Sequence, residues 1–252
     1  MSRPLVLIPS SKAKAEGGRT PIYRASPGVR RGPIARDRRE VLAALETAAD
    51  ELDDAGIARL CGVGADDVPA HRRALAELGR TRTLPGHQRY TGVVHRFAGL
   101  ADVDPAAAAA EVGIVGGLLG IAMLDEAVPT YRLEVGGRVP GLGVLGTWWK
   151  QRLGGHLRRL VGSRRCWDLL PGEFARLWPA KERLGLDVVT VRFERPDGRA
   201  APSASAKVAK GELLRLLLDG QVPGFGDLLT RQPLVDWRFE ERGPDFAAVQ
   251  RT

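Results

Sequence analysis

The chain has 252 residues, 44% of them apolar and 27% charged, values typical of a folded globular protein and too apolar for a disordered one. Its 38 basic and 30 acidic residues leave a net charge of +8, which favours polyanionic partners without specifying any chemistry. The longest mostly apolar run, 112–124, falls short of the ~20 residues that cross a bilayer, and two cysteines are too few for a disulfide framework or a four-ligand zinc site.

Pro4 to Pro9 reads as a buried strand, closed by Pro-Ser-Ser and followed by a polar loop with Lys12, Lys14 and Gly17-Gly18. Its Leu5–Ile8 core is too short for a secretory segment, so a cytoplasmic location is expected. Residues 19–35 carry Pro and Gly without a period and are expected to be irregular, with a basic helix opening near Ala35. Val41, Leu42, Leu45, Ala48, Leu52 and Ile57 keep helical spacing through 38–60, and Asp66-Asp67 opens a second helix over 66–79. Ala106 to Glu111 predicts a third helix, and Val112 to Val115 a strand that runs into the Gly116–Gly120 loop. Gly146 to Val161 predicts a helix bearing Lys150, Arg152, Arg158 and Arg159, weakened at Gly154-Gly155. A short apolar stretch at Cys166 to Leu170 follows, then an alternating strand at Val188 to Phe193 with a Pro196-Asp197-Gly198 turn that predicts a hairpin. The last clear helix is Ala206 to Leu218. Strands interleaved with helices predict a mixed α/β fold: one domain over 1–252, with a central mixed sheet flanked by helices.

The charge is uneven. Blocks 1–40, 71–100 and 151–200 carry +7, +5 and +5, and would form one positive cleft if the fold gathers them. His71, His87, His95 and His156 lack the i, i+4 spacing of a helical metal pair, so neither a metal nor a cofactor is expected. The Gly116–Gly120 loop matches neither a dinucleotide fingerprint nor a P-loop, and tight packing explains it better than phosphate binding. Two segments, Val139-Pro140-Gly141-Leu142-Gly143 and Val222-Pro223-Gly224-Phe225-Gly226, share a hydrophobic-Pro-Gly-hydrophobic-Gly pattern. Such a hairpin can bare N–H groups to a DNA phosphate, as in helix-hairpin-helix proteins, or can simply stop a helix.

Taken in order, several segments resemble the YaaA family of peroxide-stress proteins. They are Leu7-Ile8-Pro9-Ser10-Ser11-Lys12-Ala13-Lys14, Tyr90-Thr91-Gly92-Val93, the Gly116–Gly120 loop and Pro129-Thr130-Tyr131-Arg132-Leu133-Glu134-Val135-Gly136. Pro140-Gly141-Leu142-Gly143 with Trp148-Trp149, the 168–178 stretch, and Ala206-Lys207 with Lys210-Gly211 continue the match. The resemblance implies an α/β domain of the family's own type, a positively charged cleft, a helix-hairpin-helix-like element and duplex DNA binding. It also implies a cytoplasmic role in limiting iron-driven oxidative damage. The chain departs from the family pattern where Lys12 replaces a common glutamate, where Pro171-Gly172-Glu173-Phe174 replaces a hydroxyl-rich cluster, and at Ala204 and Lys210.

These positions also make sense as one anion site. Lys14, Arg132, Lys207 and Lys210 supply charge, the Tyr90 and Thr91 hydroxyls orient, and Trp149 offers a face for a base or sugar. Glu134, Glu173 and Lys207 are the catalytic candidates, while Tyr131 and Trp148 are expected in the core. Two functions stay open: a monomeric, non-enzymatic protein binding duplex DNA, and an enzyme acting on a nucleotide, nucleobase or other small anion. A redox regulator using Cys61 or Cys166 is a third.

Overall fold

A computed structural model describes residues 3–222 and 224–251. In chain order it contains strands β1 Leu5–Pro9 and β2 Arg19–Ile22, then helices α1 Pro27–Arg30, α2 Ala35–Glu51, α3 Asp54–Cys61 and α4 Val68–Ala76. Next come β3 Arg82–Pro85, α5 Gly86–Arg89, α6 Val93–Phe97, β4 Glu111–Gly116, β5 Gly120–Met123, β6 Ala127–Pro129, β7 Arg138–Val139 and β8 Gly143–Val144. The chain continues through α7 Leu145–Val161, β9 Cys166–Asp168, α8 Gly172–Ala175 and β10 Val188–Glu194. It closes with α9 Ser203–Leu218, α10 Phe225–Arg231, β11 Trp237–Arg242 and β12 Asp245–Gln250.

Seven strands make the central sheet in the order β11-β12-β10-β9-β1-β4-β5, parallel except at the antiparallel margins β5 and β11. The architecture is mixed α/β, a mixed sheet flanked by helices, as the interleaved pattern predicts. Leu5, Val6, Leu7 and Ile8 are all buried, because a strand with parallel neighbours and helices on both faces has no wet side. β2, β3 and β6 form a second small sheet, and β7 pairs with β8 as a hairpin. Among the described residues, no helix is long and apolar enough to cross a membrane.

Three local expectations need correction. The 38–60 helix is two helices: α2 stops before Leu52, and Asp53 caps α3 by accepting from the Gly56 N–H at 2.7 Å. Residues 106–111 are not helical, since the Asp104 carboxylate accepts the Ala106 N–H at 2.9 Å in a turn and Glu111 already opens β4. The turn at 196–198 leads to a single bridge, Glu194 with Ala200, rather than a second strand, and the chain passes directly into α9. β11 and β12 carry no expectation at all.

Two glycines bring elements into contact near the site. A side chain at Gly211 would press within 2.5 Å of Phe97, so its absence lets α9 lie against α6. Gly120, at φ +68°, has the Trp149 ring where a Cβ would stand, which locks the 116–120 turn onto α7. The Trp149 indole completes this packing by donating to the Gly117 carbonyl at 2.6 Å.

Candidate functional site

A cavity of about 670 Å³ opens at the carboxyl ends of β1, β9 and β10. The chain runs from β1 to β4 on one side and to β9 and β10 on the other, so the strand order reverses at β1. Open α/β sheets place ligands at such a reversal, where loops diverge and leave a crevice. The walls come from the loop after β1, the start of α6, the 131–135 segment, α8, β10 and α9. Four of the chain's six lysines, Lys12, Lys14, Lys207 and Lys210, line it.

The loop after β1 is pinned at several points. The Ser10 N–H donates to the Val115 carbonyl at 2.7 Å, the Thr91 N–H to the Ala13 carbonyl at 3.1 Å, and Lys14 bridges Tyr90 through the backbone. Beneath it lies Arg89, fully buried, which donates to the carbonyls of Ala15, of Val128 at 3.1 Å and of Gly17 at 2.9 Å. The Lys14 Nζ donates to the Ser11 carbonyl at 2.7 Å and lies 3.9 Å from the centre of the Tyr131 ring and 5.3 Å from that of Tyr90. The two phenols share a hydrogen bond of 2.7 Å.

This surrounding disfavours charge. Burial, then the Arg132 and Arg89 guanidiniums, pull the Lys14 amine down to about 7. Burial, then Lys14, pull the His95 imidazole down to about 3, and neither of its buried ring nitrogens has a hydrogen-bond partner among the described residues. Burial pushes the Tyr131 phenol up to about 12 and Tyr90 well above its usual value.

The far wall is more polar. Lys210 donates to the Leu169 carbonyl at 2.7 Å, and burial lowers its amine to about 8 against the opposing pull of the Asp168 carboxylate. Asp168 is itself buried and paired to Arg183 at 2.6 Å. Lys207, one turn earlier on α9, is exposed, and among the described residues it has no ion pair. Glu134 is paired with Lys12, whereas Glu173 is exposed on α8. The resulting pocket has amines on two walls and carboxylates at its rim.

Of the expected site residues, Lys14, Glu134, Glu173, Lys207 and Lys210 meet in this cavity. Arg132, Tyr90, Thr91 and Trp149 stand outside its lining. Arg132 donates to the Gly62 carbonyl at 3.3 Å, and Tyr90 acts from behind through the Tyr131 hydroxyl. Trp149 is 0% exposed, so it offers no face to a base or sugar. Tyr131, expected in the core, is buried and also lines the cavity, while Trp148 is buried. Arg89 and His95 drew no attention in the sequence as site residues, although both flank the Tyr90-Thr91-Gly92 motif.

The two Pro-Gly segments stand in different settings: the second joins α9 to α10, and the first does not lie between helices. The first is the β7–β8 hairpin, which follows a strand rather than a helix. In the second, Pro223 lies outside the described residues, and the Gly224 N–H donates to the Asp227 carboxylate at 2.9 Å. Both cysteines are buried, and burial raises both thiols, Cys61 to about 11, which disfavours the thiolate a redox regulator needs.

A family model described as peroxide stress protein YaaA matches residues 5–242. UPF0246 protein SCO2297 of Streptomyces coelicolor is 31% identical over 250 residues, covering 95% of this chain and 93% of that protein. UPF0246 protein TM1040_2658 of Ruegeria sp. is 27% identical over 182 residues, covering 68% and 72% respectively.

Proposed function

Because this chain belongs to the YaaA family of peroxide stress proteins, we propose that it acts in the cytoplasmic response to peroxide by holding a small phosphate-bearing ligand in the cavity after β1. What supports this reading is the convergence of Lys12, Lys14, Lys207 and Lys210 on a single cavity. Lys207 is exposed and, among the described residues, has no ion pair. Lys210 sits deeper, where reduced solvent makes each charge-assisted hydrogen bond to a phosphate oxygen stronger. A cavity of about 670 Å³ falls within the usual range for nucleotide-sized ligands.

Duplex DNA is the second reading, favoured by the net charge of +8. It needs an extended row of free cations along a backbone, and many of the surface arginines are taken up by ion pairs, as in Arg165 with Asp187 and Arg192 with Asp245. The two readings separate in one experiment. Thermal shift and calorimetry with pyrophosphate and nucleoside mono-, di- and triphosphates should show stabilisation of about 2–3 kcal/mol at a hundredfold excess over Kd. That stabilisation should vanish in Lys207→Ala. A duplex oligonucleotide should bind weakly, and with no greater salt dependence than its contact with any basic surface produces. Silence from every small phosphate, with tight duplex binding that weakens steeply in salt, would replace the first reading by the second.

A further inference from the structure

Arginine outnumbers lysine 32 to 6 in this chain, yet the cavity is lined by four lysines. Where positive charge alone is needed, arginine serves at least as well for phosphate, because its planar fork binds oxygens in pairs. A lysine offers something arginine cannot: an amine that can lose its proton and act as a nucleophile. The concentration of the scarce residue around this space therefore points to amine chemistry rather than to charge.

The four lysines do not stand in equivalent places. Lys12 is exposed and paired with Glu134, Lys207 is exposed, and Lys210 has the Asp168 carboxylate close by to hold its proton. Lys14 alone sits over two aromatic rings with the Arg132 and Arg89 guanidiniums nearby, and among the described residues no carboxylate pairs with it. An amine crowded by cations in an apolar wall is how proteins make a lysine nucleophilic near neutral pH. The groups facing it are the Ser11 carbonyl that accepts from its Nζ, the two phenols, the two guanidiniums and the neutral His95, and none of these stabilises an ammonium by ion pairing.

We propose that Lys14 is a carbonyl-condensing nucleophile, and that the cavity takes a phosphate-bearing aldehyde or ketone whose anionic end is held by Lys207 and Lys210. In the step itself the Lys14 nitrogen lone pair adds to the carbonyl carbon and the C–O π bond opens to a carbinolamine. The oxygen then leaves as water with both amine protons, and a C=N bond forms; nothing is oxidised or reduced. This proposal rests on the anion-binding reading above but adds a covalent bond that reading does not need.

The test uses the full chain with equimolar pyridoxal 5′-phosphate at about pH 7.5, borohydride to reduce the C=N bond to a stable amine, and peptide mass mapping. Lys14 should be labelled at least tenfold faster than Lys150 and Lys181, the two exposed lysines outside the cavity. The preference should fall severalfold with pyridoxal, which lacks the phosphate, and in Lys207→Ala. The Lys14 rate should reach half its maximum near neutral pH. Lys14→Arg should lose the rapid label. Labelling of Lys14 no faster than that of Lys150 and Lys181 overturns the proposal. If pyrophosphate still stabilises the protein in that case, the amine chemistry fails alone; if it does not, the anion reading fails with it.

Discussion

Acidification should cost this protein stability through one imidazole. His95 is 2% exposed, both ring nitrogens lack partners among the described residues, and its imidazole is held at about 3 rather than the usual 6.5. In the unfolded chain the ring takes up a proton as pH drops below 6.5, whereas the folded protein refuses it until about 3. Unfolding is therefore favoured progressively across that window, by about 1.4 kcal/mol per pH unit, and stability present above 6.5 is lost on the way down. At about pH 4 the loss is roughly 3 kcal/mol, a sizeable share of the 5–15 kcal/mol typical of a folded domain. With a urea slope of about 2–3 kcal/mol per molar, the midpoint should drop by about 1–1.5 M. Carboxylates titrate in the same range, so the informative quantity is the difference between the native protein and His95→Leu, measured by urea unfolding from about pH 7.5 to about pH 4. The variant should lose about 3 kcal/mol less than the native chain over that interval. Parallel losses in the two proteins would refute the assignment of a proton-refusing imidazole.

Three further outcomes follow from buried contacts. Arg38, 3% exposed, donates to the carbonyls of Leu119 at 3.1 Å and Gly28 at 3.0 Å and to Glu126 at 2.9 Å. Arg38→Met should cost about 3–5 kcal/mol in denaturant unfolding, because it strands several buried acceptors at once. Gly120→Ala combines a left-handed backbone with a Cβ 2.7 Å from the Trp149 ring, and should cost about 2–4 kcal/mol while perturbing the near-UV circular dichroism of that indole. Asp168→Asn should destabilise by about 3–5 kcal/mol through the unpaired Arg183. In that variant the Lys210 amine should also titrate lower than in the native chain, as competitive amine labelling over a pH series would report.

The elements legible in the sequence were those whose periodicity matches a buried face. β1 is an unbroken apolar run, β10 alternates Val189, Val191 and Phe193 inward, and α7 buries Leu145, Trp148, Trp149, Leu153 and Leu157 at helical spacing. The 106–111 segment misled because alanine favours helix only until a neighbouring Asp104 side chain captures the backbone first. The terminal hairpin went unseen because the β11 segment Trp237–Arg242 alternates apolar with charged residues, as any solvated loop can, and only its partner Asp245–Gln250 reveals it. In the site, the lysines on the first loop and on α9 were visible as cations in motifs. Their unequal surroundings were not visible, since these depend on Arg89, Tyr131 and Asp168, which approach the lysines from distant parts of the chain. Trp149 shows the converse: a motif residue whose packing role only the Gly117 carbonyl and Gly120 explain.

The strand at the sheet's middle leaves the ribosome more than a hundred residues ahead of its flanking partners, which begin at Glu111 and Cys166. At about 5–20 residues per second, Leu5-Val6-Leu7-Ile8 spends about 5–20 s as a naked, sticky tetrapeptide with both edges open before β4 appears. A chaperone's grip on the nascent strand, or a temporary shelter among the early helices, would cover it in that interval. Crowding by sibling chains on one message would be its main hazard.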